Sequence, residues 1–312
     1  MYQRFSITAL LKSLFSDFFS AAALVVVALY ILVAVNVEIY TFYCRSHDIT
    51  PVFDRGNIAN SFQPPSLSHP CGTDYLGRDV ALRAVAGIDT AIKVGISASL
   101  LSAIIGVLLG VMAGYYGGKV DYLVVWIYST FASMPTLLFI LAFALLVKGG
   151  FLYPPLARGV EATASLLNTD SGMLAIYLGI GITGWVTLCR VVRAETMKLR
   201  ETAYVQAAKV AGCSNFRIIF KHILPNLFHL VIIYFTLRFA YAVMTEVIVS
   251  YLGLGVQLAP SWGVMIADGQ VRLWRGIWWE VATATAFMFF LVLSLHLLGD
   301  ALRDRLDPRL RQ

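Results

Sequence analysis

Five apolar stretches of this chain, residues 18–37, 94–118, 122–147, 171–189 and 281–299, contain no Asp, Glu, Lys or Arg and run for 20, 25, 26, 19 and 19 residues. A helix needs about 20 mostly apolar residues to cross a bilayer. A sixth segment, roughly 227–254, is equally long but holds Arg238 and Glu246. In hydrocarbon every backbone N–H and C=O must be paired within the protein, so segments of this length are expected to be helices. The short period-2 segments of an outer-membrane barrel are absent. The fold class this predicts is an all-α polytopic membrane protein with six transmembrane helices. Composition agrees: 59% of the 312 residues are hydrophobic and 13% charged, against about 45–50% and about 25% in soluble domains. That balance excludes a soluble enzyme, a disordered chain and a small disulfide-stapled domain.

The net charge of +6 would suggest nucleic acid in a soluble protein. Here it is expected to follow the membrane side instead, with no nucleic-acid partner. With six spans both termini share a side. That side carries Arg4, Lys12, Lys119, the seven basic residues of 190–221 and four more after residue 302, which makes 14 of the 24 Lys and Arg; the other side carries 8. The excess places both termini in the cytoplasm. The apolar run after Lys12 is longer than a secretory signal core and no A-x-A site follows, so it reads as an uncleaved first span.

Ala98, Ser102, Gly106, Gly110 and Gly114 recur every fourth residue and form one small-residue ridge, suited to close helix–helix approach. Gly179, Gly181 and Gly184 receive the same packing reading. Cys44 and Cys71 fall on one side, where a disulfide is allowed. No Cys or His spacing supports a metal site. There is no GxxxxGK[ST] loop, GxSxG elbow or HExxH pair, so no catalytic residue is assigned and no ATP hydrolysis is expected of this chain.

The connection 190–226 is too polar to span and too patterned for a linker. Residues 201–211 are rich in helix formers, including Ala203, Ala207, Ala208 and Ala211, and Gly212 stands where a helix C-terminus favours a left-handed residue. Ser214 is a plausible N-cap for a second short helix ending near Leu224, and Pro225 is expected to stop or redirect it. Two readings follow: a slim docking surface for another protein, or a hairpin that only caps the bundle. Arg238 and Glu246 are in-membrane ionisable residues and should face protein or water. Eight residues apart, they are separated by roughly 12 Å of helix rise and cannot pair with each other. They stand as a candidate translocation wall, as ion-pair partners for a second subunit, or as snorkelling side chains.

The segment Gln206-Ala207-Ala208, then Gly212, then His222-Ile223-Leu224-Pro225 resembles the EAA loop of ABC-transporter permeases. Gln206 stands where that family has Glu, keeping length but losing charge, and His222 stands where it has Ile. Three further segments agree. His69-Pro70-Cys71-Gly72-Thr73-Asp74-Tyr75-Leu76-Gly77-Arg78-Asp79 resembles the signature before the second span. Ser250 to Val256, with Gly253 and Gly255, and then Pro260-Ser261-Trp262-Gly263 resembles SFLGLGV…PSWG. Leu298-Gly299-Asp300 through Asp307-Pro308-Arg309 resembles LGD-LRD-LDPR. Together they are similar to the second, C-type permease subunit of dipeptide, oligopeptide and nickel importers; residues 37–63 carry no family motif.

The resemblance implies a type I ABC importer permease fold, with residues 1–86 as an N-terminal span plus extracytoplasmic segment and 87–312 as a five-helix core. It implies a sister permease, two ABC ATPase subunits that bind ATP and Mg, an extracytoplasmic substrate-binding protein and a peptide cargo in the cytoplasmic membrane, with no cofactor on this chain. Glu201, Gln206, Ala207, Ala208, Gly212, Leu224 and Pro225 would form the coupling loop. A nickel or metal-chelate permease is the alternative within the family, and an ATP-independent secondary carrier the alternative outside it.

Overall fold

The computed structural model describes residues 15, 17–148, 151, 154–166, 171–253, 255 and 259–306. The expectations placed on Arg4, Lys12, Leu254, Val256, Asp307, Pro308, Arg309 and Arg311 lie outside the described residues. The described chain is helical: α1 Phe18–Ser46, α2 Val80–Tyr116, α3 Gly118–Ser133, α4 Thr136–Lys148, α5 Pro154–Leu166, α6 Ser171–Arg200, α7 Ala203–Val210, α8 Asn215–Ile218, α9 Leu224–Tyr251, α10 Trp262–Gln270 and α11 Trp279–Leu306. No strand occurs among the described residues, only an isolated Thr73–Asp79 bridge.

The 37-residue α2 is roughly 55 Å long at 1.5 Å per residue and organises the fold. Its small-residue ridge packs against α6. A Cβ on Gly106 would lie 3.0 Å from the Trp185 carbonyl oxygen, one on Gly110 2.8 Å from that of Cys189, and one on Gly114 2.6 Å from that of Arg193. The partners rise in step, so α2 and α6 run parallel. Ser102 Oγ adds a bond to the Gly181 carbonyl at 2.8 Å.

Two parallel spans require a return crossing between them, and α3 with α4 supplies it. Arg193 pairs with Asp121 near one end of α6, Trp185 meets Phe131 edge-on at 5.7 Å further along, and Gly179 faces Ile140 and Phe143 toward the other end. The sequence expectation of one continuous helix over 122–147 is corrected here: α3 and α4 are bent by 90°. Pro135 is the cause. It cannot donate into the helix and it forces the preceding residue out of the α region, and Met134 is extended at φ −84, ψ 136. Among the described residues five helices are long and apolar enough to cross a membrane, and six crossings result when the bent pair counts as one.

A second correction concerns Pro225. The chain does not break there; residues Asn215–Tyr251 form one continuous helical rod. A wide turn, Ile219–Ile223, absorbs the proline, with Leu224 N–H reaching the Ile219 carbonyl five residues back. Widening a single turn moves a carbonyl away from the proline ring, which is a recognised way to keep a helix running past such a residue.

α1 lies against α2 and α11, where Tyr30 Oη donates to the Phe287 carbonyl at 2.9 Å. Buried side chains of α1, α2, α6, α9, α10 and α11 share one core. A second cluster around Tyr115, Leu188, Val205, Ile218 and Ile223 joins the 201–225 connection to the far end of α2 and α6.

Candidate functional site

The 201–225 connection folds into a compact stub at the C-terminal end of α2. α7 closes in a Schellman turn: Gly212 N–H bonds to the Lys209 carbonyl at 3.0 Å and Cys213 N–H to that of Ala208 at 3.1 Å. Gly212 has φ +76, the left-handed region that glycine enters without penalty. Ser214 then caps α8, accepting from Arg217 N–H. Two contacts fix the stub to α2, Tyr115 Oη to Asn215 Oδ1 at 2.9 Å and the Lys209 ammonium over the Tyr115 ring, and Arg200 at the end of α6 ties in beside them through the Gly114 and Tyr115 carbonyls.

The stub presents a mixed surface. Glu201, Ala207, Gly212 and Pro225 are exposed, Ala208 and Leu224 half-buried. Gln206 turns back and donates to the Arg200 carbonyl at 2.8 Å, so its amide braces the start of α7. Sequence reasoning missed the apolar part. Val210 is 90% exposed, Phe216 70% and Phe220 52%, and the two phenyl rings lie 4.3 Å apart. Their i, i+4 spacing inside a basic segment was the available signal.

The opposite end of α2 holds a polar knot made from the Gly72–Asp79 signature. The buried Asp74 carboxylate accepts from Leu76 N–H and Arg78 N–H at 2.9 Å, Arg78 Nε at 2.7 Å and Arg83 Nη1 at 2.8 Å. Asp79 caps α2 through Leu82 N–H and meets His69 Nδ1 at 2.9 Å. Thr73 bonds the Asn60 carbonyl through Oγ1 at 2.6 Å, and its own carbonyl accepts Trp279 Nε1 at 3.0 Å. Gly72 and Gly77 both have positive φ, and a Cβ on Gly77 would sit 1.9 Å from the Asn57 carbonyl oxygen. The signature therefore ties the 47–79 connection to α2 and α11. Trp279 and Arg83 were not legible as its partners.

The third signature builds the core between α9 and α10. Glu246 is 1% exposed; its Oε1 accepts from Ser250 Oγ at 2.6 Å and Ser261 Oγ at 2.8 Å. Trp262, also 1% exposed, donates Nε1 to the Ala84 carbonyl at 2.9 Å. Gly253 follows the end of α9 with φ +78, and Gly255 lies against Ser250. Arg238 sits apart from Glu246. Its Nη2 donates to the Ile180 carbonyl at 2.7 Å, its guanidinium lies 5.3 Å from the Tyr241 ring centre, and Gly184 leaves the space it fills. Nε has no partner, and no carboxylate among the described residues pairs with it. All four cysteines are free thiols, and among the described residues no three His, Cys, Asp or Glu are grouped as metal ligands.

A helical body with, among the described residues, five or six helices long and apolar enough to cross a membrane, carrying an ordered, partly apolar stub at one end, defines a multi-pass membrane protein. Residues 106–312 match the family described as binding-protein-dependent transport system inner membrane component, and the chain belongs to it. It is 35% identical to the dipeptide transport system permease protein of Bacillus subtilis (strain 168) over 260 residues, covering 83% of this chain and 74% of that protein. It is 31% identical to the oligopeptide transport system permease protein of the same organism over 299 residues, covering 95% and 88%. It is 30% identical to the glutathione transport system permease protein of Escherichia coli O6:K15:H31 over 286 residues, covering 91% and 86%. The chain is thus a permease subunit of the inner membrane, a transport component and not an enzyme.

Proposed function

We propose that this permease conducts peptides, from dipeptides to short oligopeptides, as one half of an ATP-driven importer. The names of its relatives, a dipeptide, an oligopeptide and a glutathione permease, support that cargo class. The observation that carries the coupling is the stub, with Val210, Phe216 and Phe220 exposed on a segment whose buried side chains pack onto α2 and α6. Exposed apolar residues rimmed by Lys209, Arg217 and Lys221 suit an interaction surface.

In this reading the stub and both termini face the cytoplasm, and the knot of residues 72–79 faces outward. The stub docks one of two ABC ATPase subunits, which bind ATP and Mg. A sister permease completes the path, and an extracytoplasmic binding protein delivers the peptide. Residues 87–312 form the core of the subunit and 1–86 its peripheral part. Closure of the ATPase pair pushes the stub, and because the stub is packed onto α2 and α6 the helices move as bodies between two arrangements. Ala207, Ala208 and Gly212 form the docking turn, while Arg238, with no carboxylate partner among the described residues, lines the interface with the sister chain or the cargo.

The test is site-directed crosslinking from Val210→Cys and Phe216→Cys in membranes, paired with uptake of a labelled dipeptide and of nickel. Crosslinks to a nucleotide-binding subunit that change with ATP, together with dipeptide uptake, are expected. Crosslinks to lipid alone under turnover would sink the coupling; nickel uptake without dipeptide uptake would replace the cargo.

A further inference from the structure

A cavity of about 440 Å³ opens between α1, α2, the turn Val52–Asp54 and the residues just before α10. That is within the range of small-ligand sites, about 300–1,000 Å³. It lies toward the end of α2 remote from the stub. Glu38 and Lys93, which line it, are the first charged residues beyond the uncharged stretches 18–37 and 94–118, so the cavity sits at the edge of the apolar layer.

Its charged lining consists of Glu38, Asp54, Asp89, Arg45 and Lys93. Lys93 is held by Glu38 and, at 2.8 Å, by Asp89. Asp54 makes no ion pair among the described residues. The cations whose field reaches it, Arg83 and Arg78, are both bonded to Asp74. Burial pushes the Asp54 carboxyl above its ordinary value, as expected for a carboxylate short of a direct partner. Three carboxylates and two cations line the space, and the Asp74–Arg78–Arg83 group behind Asp54 adds one net positive charge. The surroundings are therefore close to neutral but strongly divided in sign. Such a site favours neither a net cation nor a net anion; it suits a molecule that brings both signs.

We propose that this cavity binds a small zwitterion, with its ammonium group on Asp54 and its anionic group toward the exposed guanidinium of Arg45. Two sources share that chemistry: a free peptide with both termini charged, and the headgroup of an aminophospholipid. A second hollow of about 430 Å³, lined mainly by apolar side chains with Asn36 and Tyr40 among them, adjoins the cavity across Val37, Phe53 and Ala86, and its exposed side chains Leu32 and Leu82 give a lipid tail somewhere to lie. The proposal does not rest on the transport reading, because binding is measured without transport.

The experiment uses the full chain with its co-purifying subunits, without the extracytoplasmic binding protein, and equilibrium dialysis of labelled Ala-Ala. N-acetyl-Ala-Ala and Ala-Ala-amide, each lacking one charge, are expected to compete at least tenfold more weakly than Ala-Ala. Asp54→Asn should weaken Ala-Ala at least tenfold and leave the N-acetyl form unchanged. Arg45→Gln, at an exposed position, should remove the preference for a free carboxylate while the melting temperature, read alongside, reports on the fold. Repeating the titration in phosphatidylcholine nanodiscs with and without phosphatidylethanolamine assigns the source: competition by the ethanolamine lipid marks a headgroup site, and no competition marks a site for free solute. Equal binding of the capped and uncapped dipeptides, no saturable Ala-Ala binding in phosphatidylcholine, or unchanged binding in both variants would overturn the proposal. Lost uptake with intact Ala-Ala binding would count against the importer reading and leave the cavity standing.

Discussion

Replacing Gly212 by Val tests the stub most directly. The residue has φ +76, and a Cβ built there meets nothing within 4 Å. The cost is therefore conformational and not steric. A non-glycine residue in the left-handed region loses about 1–2 kcal/mol, with the β-branched Val at the upper end because its side chain restricts the backbone further. The two Schellman bonds depend on that conformation. The formed turn should lose roughly 5- to 30-fold against unformed alternatives. α7 is only eight residues long and buries Val205 alone, so it has little else to hold its end. The transmembrane bundle should keep its melting temperature, since the turn lies outside it. Asn enters the left-handed region more easily than other side chains. The expected order for both ATPase co-purification and labelled dipeptide uptake is Gly, then Asn, then Ala, with Val lowest. Full uptake with Val at 212, or Asn performing no better than Val, would refute the reasoning.

The double variant Phe216→Ser, Phe220→Ser removes apolar surface that is more than half exposed; melting should change little while ATPase subunits no longer co-purify. Trp262→Ala should cost about 3–5 kcal/mol, the usual loss for a buried indole, read as a lower melting temperature and poor membrane accumulation. Asp74→Asn strips the countercharge from two guanidinium groups and should cost about 3–5 kcal/mol, seen as early unfolding and faster proteolysis of the 47–79 connection. Glu246→Gln keeps an acceptor for Ser250 and Ser261, so the fold should persist. Unchanged cargo preference in that variant would assign Glu246 to the core, and an altered preference would assign it to the path.

Much of this was legible in the chain. The uncharged stretches located the spans because hydrocarbon tolerates few charges, and the helices Phe18–Ser46, Val80–Tyr116, Ser171–Arg200 and Trp279–Leu306 extend past them by two or more turns where polar helix formers continue the ladder. The ridge from Gly106 to Gly114 announced a close packing partner, but not that the partner would be α6 running parallel. Gly212 announced its turn because so few residues accept a positive φ. Pro225 was misjudged: a proline removes one donor, yet whether the helix stops or widens depends on what the next turn is packed against. Pro135 was overlooked because the whole stretch 122–147 is uncharged, and hydropathy does not register a bend.

The sequence alone determined the solvent of this protein, the segments apolar enough to cross it and the residues at which the backbone must take special conformations, since those follow from local chemistry. Only the tertiary structure decided the partners. It sent Glu246 to two serines and left Arg238 with a backbone carbonyl; it gathered Asp74, Arg78 and Arg83 into one buried group, and it set Glu38, Asp54 and Lys93 around a shared cavity. Charges separated by up to 72 positions meet only when helices pack, and no spacing along the chain encodes which face each helix turns to its neighbour.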